Sequence, residues 1–265
     1  MKEKPIGFFD SGMGGLSVMA EARRLLPQED FLYYADTAHV PFGNRSNTEI
    51  YQYTMNGVMY LLGRGAKAVV LACNTATNVG VGRLRRYLET DITGIEPAVK
   101  PAFEALPEGK ILVLTTYATF KQEKFHQLIN RFELERMILQ PMEDLAQVIE
   151  EHYFEPDEID GYLKASLGEY PGKVGGVVLG CTHYILVREA FERLFGGSLI
   201  VDGNEGTVRN LIRKLESRDG LRNDGHIGST QIVTTLGSRK ERKLYQSVWD
   251  DVCEKNIHNR KVGHI

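Results

Sequence analysis

One short phrase occurs twice in this chain, and it limits the folds that the sequence can adopt. Residues 69–75 read Val-Val-Leu-Ala-Cys-Asn-Thr, and residues 177–183 read Val-Val-Leu-Gly-Cys-Thr-His. In both copies an apolar run ends at a small residue, which is followed by a cysteine and a hydrogen-bonding side chain. Because two of the three cysteines, Cys73 and Cys181, occupy these matched places, we predict two similar halves that each present one thiol.

Strand-like and helix-like segments alternate along the whole chain. Strands are predicted at 6–9, 31–34, 68–71, 92–95, 111–114, 136–140, 176–179, 199–202 and 230–236. Helices are predicted at 16–26, from Asn47 or Thr48 to 62, from Asn74 or Thr75 to 88, and at 120–132, 143–152, 156–168, 184–194, 207–217 and 241–252. Such alternation is typical of parallel sheets covered by helices. The predicted fold class is therefore α/β, with two pseudo-symmetric doubly wound parallel-sheet domains and the active site at their interface.

The two domains are predicted to divide the chain unevenly. The first comprises residues 1–97 together with 207–265, and the second comprises residues 98–206. A tail of roughly 60 residues is too short for an independent core, so we expect it to return and complete the first domain.

Charge and hydropathy argue against two classes of partner. The formal net charge is −3, and the basic cluster at Arg83, Arg85 and Arg86 is interpreted as a solvated helix face, so no nucleic-acid partner is expected. No stretch approaches the roughly 18 apolar residues of a membrane span, and the first residues lack the apolar core of a signal peptide. Three cysteines without a disulfide framework predict reduced thiols and a cytoplasmic location.

Polar side chains follow several predicted strands, where ligands of open α/β sheets bind. These clusters are Asp10-Ser11, Cys73-Asn74-Thr75, Thr116 with Thr119, and Cys181-Thr182-His183. The glycine-rich loop at 12–15 opens a helix, so its amides would suit an anion such as a carboxylate. It is neither a P-loop nor a complete dinucleotide fingerprint, and a simple tight turn is the competing interpretation.

The two matched cysteines indicate proton transfer. Each precedes a predicted helix, whose free N–H groups and dipole favour a thiolate. Two thiols that face one substrate from opposite sides would remove and deliver a proton. His183 would orient or protonate a group beside Cys181, and Asp10 would serve as a base or bind an ammonium group. The competing interpretations are a packed histidine and an aspartate that caps the glycine-rich loop.

Other uses of the cysteines fit the sequence less well. A metal site formed by Cys73, Cys181 and His183 lacks the close Cys-x-x-Cys spacing of usual zinc sites. A hydrolase with a single nucleophilic cysteine leaves the second thiol idle. Cys253 lies near Trp249 in the predicted tail helix, and core packing is its expected role.

Six motifs resemble those of the cofactor-independent glutamate racemases, within the aspartate/glutamate racemase superfamily. They follow the family's order and spacing over about residues 5–205. The motifs are Phe9-Asp10-Ser11-Gly12-Met13-Gly14-Gly15-Leu16, Tyr34-Ala35-Asp36, Pro41-Phe42-Gly43, Ala72-Cys73-Asn74-Thr75-Ala76, Ile95-Glu96-Pro97 and Leu179-Gly180-Cys181-Thr182-His183-Tyr184.

The resemblance implies a two-base racemisation of glutamate at Cα, with Cys73 acting on the D-enantiomer and Cys181 on the L-enantiomer. It implies that Asp10 and His183 assist the two thiols, with Glu150 as a further acidic helper. The remaining matches are substrate-binding: Ser11, Asn74, Thr75 and Thr182 toward the α-ammonium and α-carboxylate, and Pro41, Phe42, Gly43, Thr116 and Thr119 toward the side-chain carboxylate. It implies no metal or organic cofactor. We expect a homodimer that acts on a small molecule and supplies D-glutamate for peptidoglycan.

Some residues depart from the family pattern. Phe42 replaces a usual tyrosine, Gln122 and Phe125 stand where serine and tyrosine are usual, and Ile185 stands where proline is usual. These changes leave two alternatives open. One is a racemase of aspartate or another amino acid, and the other is a racemase-derived binding or regulatory protein without turnover.

Overall fold

The computed structural model describes residues 2–258, and two parallel β-sheets organise it. The strands are β1 (Ile6–Asp10), β2 (Phe31–Ala35), β3 (Ala68–Leu71), β4 (Asp91–Gly94), β5 (Ile111–Thr116), β6 (Met137–Met142), β7 (Gly176–Leu179), β8 (Leu199–Asp202) and β9 (Thr230–Thr234). The first sheet has the order β4-β3-β1-β2-β9 and the second the order β6-β5-β7-β8. Their strands pair in parallel, which confirms the predicted fold class.

Helices cover these sheets. They are α1 (Leu16–Leu25), α2 (Asn47–Gly63), α3 (Asn74–Tyr87), α4 (Val99–Ala105), α5 (Tyr117–Phe120), α6 (Glu123–Ile129), α7 (Leu145–His152), α8 (Pro156–Leu167), α9 (Thr182–Leu186), α10 (Arg188–Phe195), α11 (Asn204–Glu216) and α12 (Arg239–His258). Strand β9 pairs with β2, and α12 packs against α1, so the described part of the tail joins the first sheet. The end of the predicted first domain, residues 259–265, lies outside the described residues. Within residues 2–258, no helix is both long enough and apolar enough to span a bilayer.

The repeated phrase forms equivalent buried strands in the two sheets. All four residues of β3 and all four of β7 are buried, as expected for strands that are covered on both faces. The small residue after each strand donates a backbone hydrogen bond to the neighbouring strand: Ala72 N to Phe9 O and Gly180 N to Leu114 O, both at 2.8 Å. A Cβ on Gly180 would lie 2.4 Å from Leu114 O, which explains why the second copy has glycine where the first has alanine.

The structure corrects both predicted helix caps. Helix α2 begins after Ser46 and not after Asn47 or Thr48. The Glu49 amide donates to Ser46 Oγ at 3.3 Å, and the Ser46 amide donates to Glu49 Oε2 at 2.9 Å, which completes a capping box. Helix α3 is capped by the thiol of Cys73, not by Asn74 or Thr75.

Two predicted helices are also interrupted in the structure, and one helix was not predicted. The predicted helix at 120–132 is two helices, α5 and α6, because Gln122 has an extended backbone with ψ 133°. The predicted helix at 184–194 begins earlier, at Thr182, and breaks at Val187, whose φ of −112° is not helical. Helix α4 was not predicted, and Pro101 lies in its first turn. Proline is tolerated in a first helical turn, where the N–H groups have no partner within the helix.

Candidate active site

Hydrogen bonds join the two halves where the predicted polar clusters meet. The Thr75 hydroxyl, at the start of α3, lies 3.1 Å from the Thr116 hydroxyl and 3.3 Å from the Thr119 hydroxyl of the second half. On the other side of the site, Thr182 Oγ1 donates to Asp10 Oδ2 at 3.4 Å. The structure therefore brings together side chains that follow β1, β3, β5 and β7.

Cys73 lies in a buried pocket of hydrogen-bond donors. Its side chain accepts from the Ala76 amide at 3.4 Å, and its sulfur lies 3.7 Å from the hydroxyl of Ser11. Burial raises the pKa of Cys73 well above its usual range, and the nearby Asp10 charge raises it further. The expectation that the helix terminus would favour the thiolate is therefore wrong for Cys73, because desolvation outweighs the two hydrogen bonds.

Cys181 has different partners. Its sulfur lies 3.9 Å from Nδ1 of His183, and Nε2 of His183 lies 2.7 Å from Oε1 of Glu150. Burial alone lowers the pKa of His183, but its contacts with Cys181 and Glu150 prevail and raise that pKa well above its usual value. A raised pKa favours the protonated imidazolium, whose Nδ1 faces the Cys181 sulfur. Glu150, which was predicted as an acidic helper, lies where it holds this charge.

Asp10 is a fully buried carboxylate at the end of β1. Its Oδ1 accepts from the Ser11 amide at 2.6 Å and from the Ser11 hydroxyl at 3.2 Å, and its Oδ2 accepts from the Gly15 amide. Burial raises the pKa of Asp10 to about 6, although the His183 charge and the two amides oppose the shift. Through the Ser11 hydroxyl, Asp10 is connected to the sulfur of Cys73.

The glycine-rich loop at 12–15 holds protein carboxylates. The Met13 amide donates to Glu150 Oε1 at 2.7 Å, and the Gly15 amide donates to Asp10. A Cβ on Gly12 would lie 1.9 Å from Glu150 Oε1, and one on Gly14 would lie 2.5 Å from Nδ1 of His183. The loop does suit carboxylates, as predicted. The carboxylates at the Met13 and Gly15 amides, however, are the side chains of Glu150 and Asp10.

A triad of threonine hydroxyls lies between the halves. Thr116 and Thr119 are 3.1 Å apart, and each contacts Thr75. Beside them, Asn74 is buried and its Oδ1 has no hydrogen-bond partner within the described structure. An unpaired buried acceptor is costly, so Asn74 is suited to a ligand that brings a hydrogen-bond donor.

The segment with Pro41, Phe42 and Gly43 borders this triad. Residues Phe42–Asn44 form a short 3-10 helix that packs against α5. The Phe42 ring is buried against Phe9, and open space surrounds the position of a Cβ on Gly43. The segment therefore offers an apolar wall and an accessible backbone beside the threonines.

Two of the departures from the family pattern have clear places in the structure. The side-chain amides of Asn47 and Gln122 bond to each other across the outer edge of the two halves, at 2.9 and 3.4 Å. Phe125 is buried in the apolar core of the second half and packs beside Phe120. Gln122 thus bridges the halves at the surface, whereas Phe125 contributes to packing.

The site defines a class of enzyme. Each half of a duplicated α/β fold contributes one buried thiol, Cys73 in the first and Cys181 in the second. One thiol is connected to a carboxylate by a hydroxyl, and the other contacts an imidazole that is paired with a carboxylate. Such a site is equipped to move protons to and from one substrate between the halves.

Comparison with known proteins agrees with this class. The Asp/Glu/hydantoin racemase family model matches residues 16–211, and the chain belongs to this family. A glutamate racemase from Clostridium botulinum strain Loch Maree is 40% identical over 247 residues, which cover 92% of this chain and 95% of the relative.

Solved racemases share the fold. The Escherichia coli glutamate racemase in complex with L-glutamate and the activator UDP-MurNAc-Ala superposes with a TM-score of 0.80 at 30% identity, covering 92% of this chain and 95% of that one. A glutamate racemase isoform from Bacillus anthracis gives a TM-score of 0.81 at 27% identity, covering 97% and 95%.

Proposed function

We propose that this chain racemises glutamate by a two-thiol, two-base reaction. The observation that carries the proposal is the matched placement of Cys73 and Cys181 after equivalent strands, each with its own proton-transfer partner. The named racemase relatives support glutamate as the substrate. Reaction in the D-to-L direction begins when Cys73, as a thiolate, removes the Cα proton. The electron pair left on Cα then takes a proton from the Cys181 thiol on the opposite face.

The structure suggests how the Cys73 thiolate forms despite burial. Ser11 lies between Cys73 and Asp10, so its hydroxyl accepts the thiol proton while giving its own to the carboxylate. After D-to-L turnover, Cys73 is a thiol and Cys181 is a thiolate, which the charged His183 stabilises or reprotonates. The different partners make the two faces chemically distinct.

The substrate's polar ends have partners on both sides of the thiols. We assign Asn74 and Thr75, with the Ser11 and Thr182 hydroxyls, to the α-ammonium and α-carboxylate. Hydrogen bonds there stabilise the carbanionic transition state in a site that excludes water. The side-chain carboxylate is assigned to Thr116 and Thr119 with the Pro41-Phe42-Gly43 segment.

This function sets the expected biological context. A cytoplasmic homodimer would supply D-glutamate for peptidoglycan. The alternative substrates are aspartate and other amino acids, because Phe42 lacks the hydroxyl that is usual at its position. A binding protein without turnover has no need of two thiols that each contact a proton-transfer group.

The decisive experiment is solvent exchange. L-Glutamate and D-glutamate are incubated separately with the purified protein in deuterated water, and L- and D-aspartate are treated in the same way. We expect deuterium at Cα and loss of optical rotation with glutamate, and little change with aspartate. A protein that leaves Cα protonated and the rotation constant for all four would be a binder, and the proposal would be wrong.

The pKa of Asp10 sets the acidic limb of the pH profile. Because this pKa is raised to about 6, the carboxylate is ionised above that pH and protonated below it. A protonated Asp10 cannot accept the Cys73 proton. We therefore expect kcat/KM to fall about tenfold per pH unit below pH 6.

Two checks make this measurement specific. The enantiomers have equal free energies in water, so kcat/KM must be equal in both directions and the limb must occur for both substrates. Circular dichroism at each pH separates titration from unfolding. A flat profile between about pH 5 and 7, in the folded protein, would contradict the role assigned to Asp10.

A further inference from the structure

Tyr33 places a buried phenol beneath the glycine-rich loop. The side chain belongs to β2 and is fully buried. Its hydroxyl donates to Gly12 O at 2.7 Å and lies 3.4 Å from Asp10 Oδ2. A buried tyrosine hydroxyl requires a partner, and both partners of this one belong to the segment that connects the two thiol sites.

The two ends of this segment, residues 10–13, contact the proton-transfer partners of different thiols. Asp10 and Ser11 face Cys73, and two residues later the Met13 amide holds Glu150, the partner of His183. The Gly12 carbonyl and the Met13 amide belong to the same planar peptide unit, so the Tyr33 hydrogen bond restrains the unit that holds Glu150. The contact of the same hydroxyl with Asp10 lies at the other end of the segment. A shift of the loop would displace the proton-transfer partners of both cysteines together.

We propose that Tyr33 is a positioning residue for both halves of the racemisation site. The inference rests on the proposed function. Its single O–H proton is shared between Gly12 O, which is the shorter contact, and Asp10 Oδ2. A hydrogen bond to an ionised carboxylate stabilises that form, so Tyr33 also helps Asp10 to remain ionised at neutral pH.

The neighbouring tyrosine provides a matched control. Successive residues of a strand point to opposite faces of the sheet, so Tyr34 faces away from Tyr33. The Tyr34 ring lies 6.1 Å from the Phe9 ring and 5.0 Å from the Tyr60 ring. It packs against a different apolar cluster from the one that contains Tyr33. Both tyrosines therefore tolerate phenylalanine as a packing group, but only one has its hydroxyl at the loop.

The test compares Tyr33→Phe with Tyr34→Phe. We expect Tyr33→Phe to lower kcat/KM by about tenfold, which is the size expected from the loss of one buried hydrogen bond. The acidic limb should move to higher pH in Tyr33→Phe, because Asp10 loses a donor. Tyr34→Phe should keep the wild-type limb and rate within about twofold. Thermal unfolding of both variants shows that each is folded.

A second readout does not depend on turnover. Iodoacetamide alkylation of Cys73, followed by peptide mass spectrometry, reports how well the loop covers this thiol. We expect alkylation to be several-fold faster in Tyr33→Phe and unchanged in Tyr34→Phe. Equal alkylation in the two variants, with equal pH limbs where turnover is measurable, would overturn the positioning role. Failure of the proposed function is distinct, because the wild type would then not exchange glutamate Cα protons.

Discussion

Serine at position 73 or 181 is expected to abolish racemisation, with kcat reduced by at least about 10³-fold. A positioned acid or base contributes on the order of 10²–10⁴-fold, and a serine hydroxyl is too weak an acid to replace a thiol in either role. The two single variants, Cys73→Ser and Cys181→Ser, should be equally inactive in optical rotation assays. This equality follows because every turnover uses one thiol as base and the other as acid.

The same variants should differ in solvent exchange. Cys73→Ser retains the thiol that acts on L-glutamate, so it should incorporate deuterium into L-glutamate without inverting it. Cys181→Ser should exchange D-glutamate alone. Cys253→Ser is the matched control, since this cysteine lies in α12 outside the site and its loss should leave activity unchanged. Full racemisation by either active-site variant would refute the two-thiol reaction.

The fold was largely predictable because its strongest signals are local. The apolar runs that form β3 and β7 are short, end at small residues and lead into helices, and their repetition indicates the duplicated architecture. The tail was expected to complete the first half because it is too short to fold alone, and its strand β9 pairs with β2, a position that the argument from length did not specify. Helix ends were less predictable, because capping by Ser46 or Cys73 depends on backbone conformation at single residues.

The site was predictable only in part. Strand ends pointed to the thiols and threonines, but the environment of each thiol depends on contacts between distant segments. Glu150 contacts His183, which is 33 residues away along the chain, and Met13, which is 137 residues away. A single sequence carries no signal that pairs residues so far apart. The predicted direction of the Cys73 pKa shift was wrong. The helix dipole follows from the local sequence, whereas the burial of the thiol depends on how distant segments pack. Tyr33 had a signal that was missed: a phenol on a core-facing strand position needs a buried acceptor.

Alanine at Gly14 is expected to reduce racemisation by more than about 100-fold. Its Cβ would lie 2.5 Å from His183 Nδ1, 2.6 Å from Thr182 Oγ1 and 2.7 Å from the His183 backbone nitrogen. The two side chains are able to rotate, but the backbone nitrogen belongs to α9, so the loop must move instead. Displacements near 1 Å at catalytic groups cost on the order of 10²-fold. The loop carries amides to both Asp10 and Glu150, so both thiols lose alignment together.

A glycine elsewhere separates this effect from the general cost of the substitution. Gly82 lies within α3 with open space where its Cβ would be, so Gly82→Ala should stabilise the fold by about 0.5–1 kcal/mol and leave the rate unchanged. Gly14→Ala should lower the melting temperature and remove exchange at Cα of both enantiomers. Loss of exchange with only one enantiomer would show that the loop serves one thiol alone. A single loop would then no longer explain how both proton-transfer groups are held in alignment.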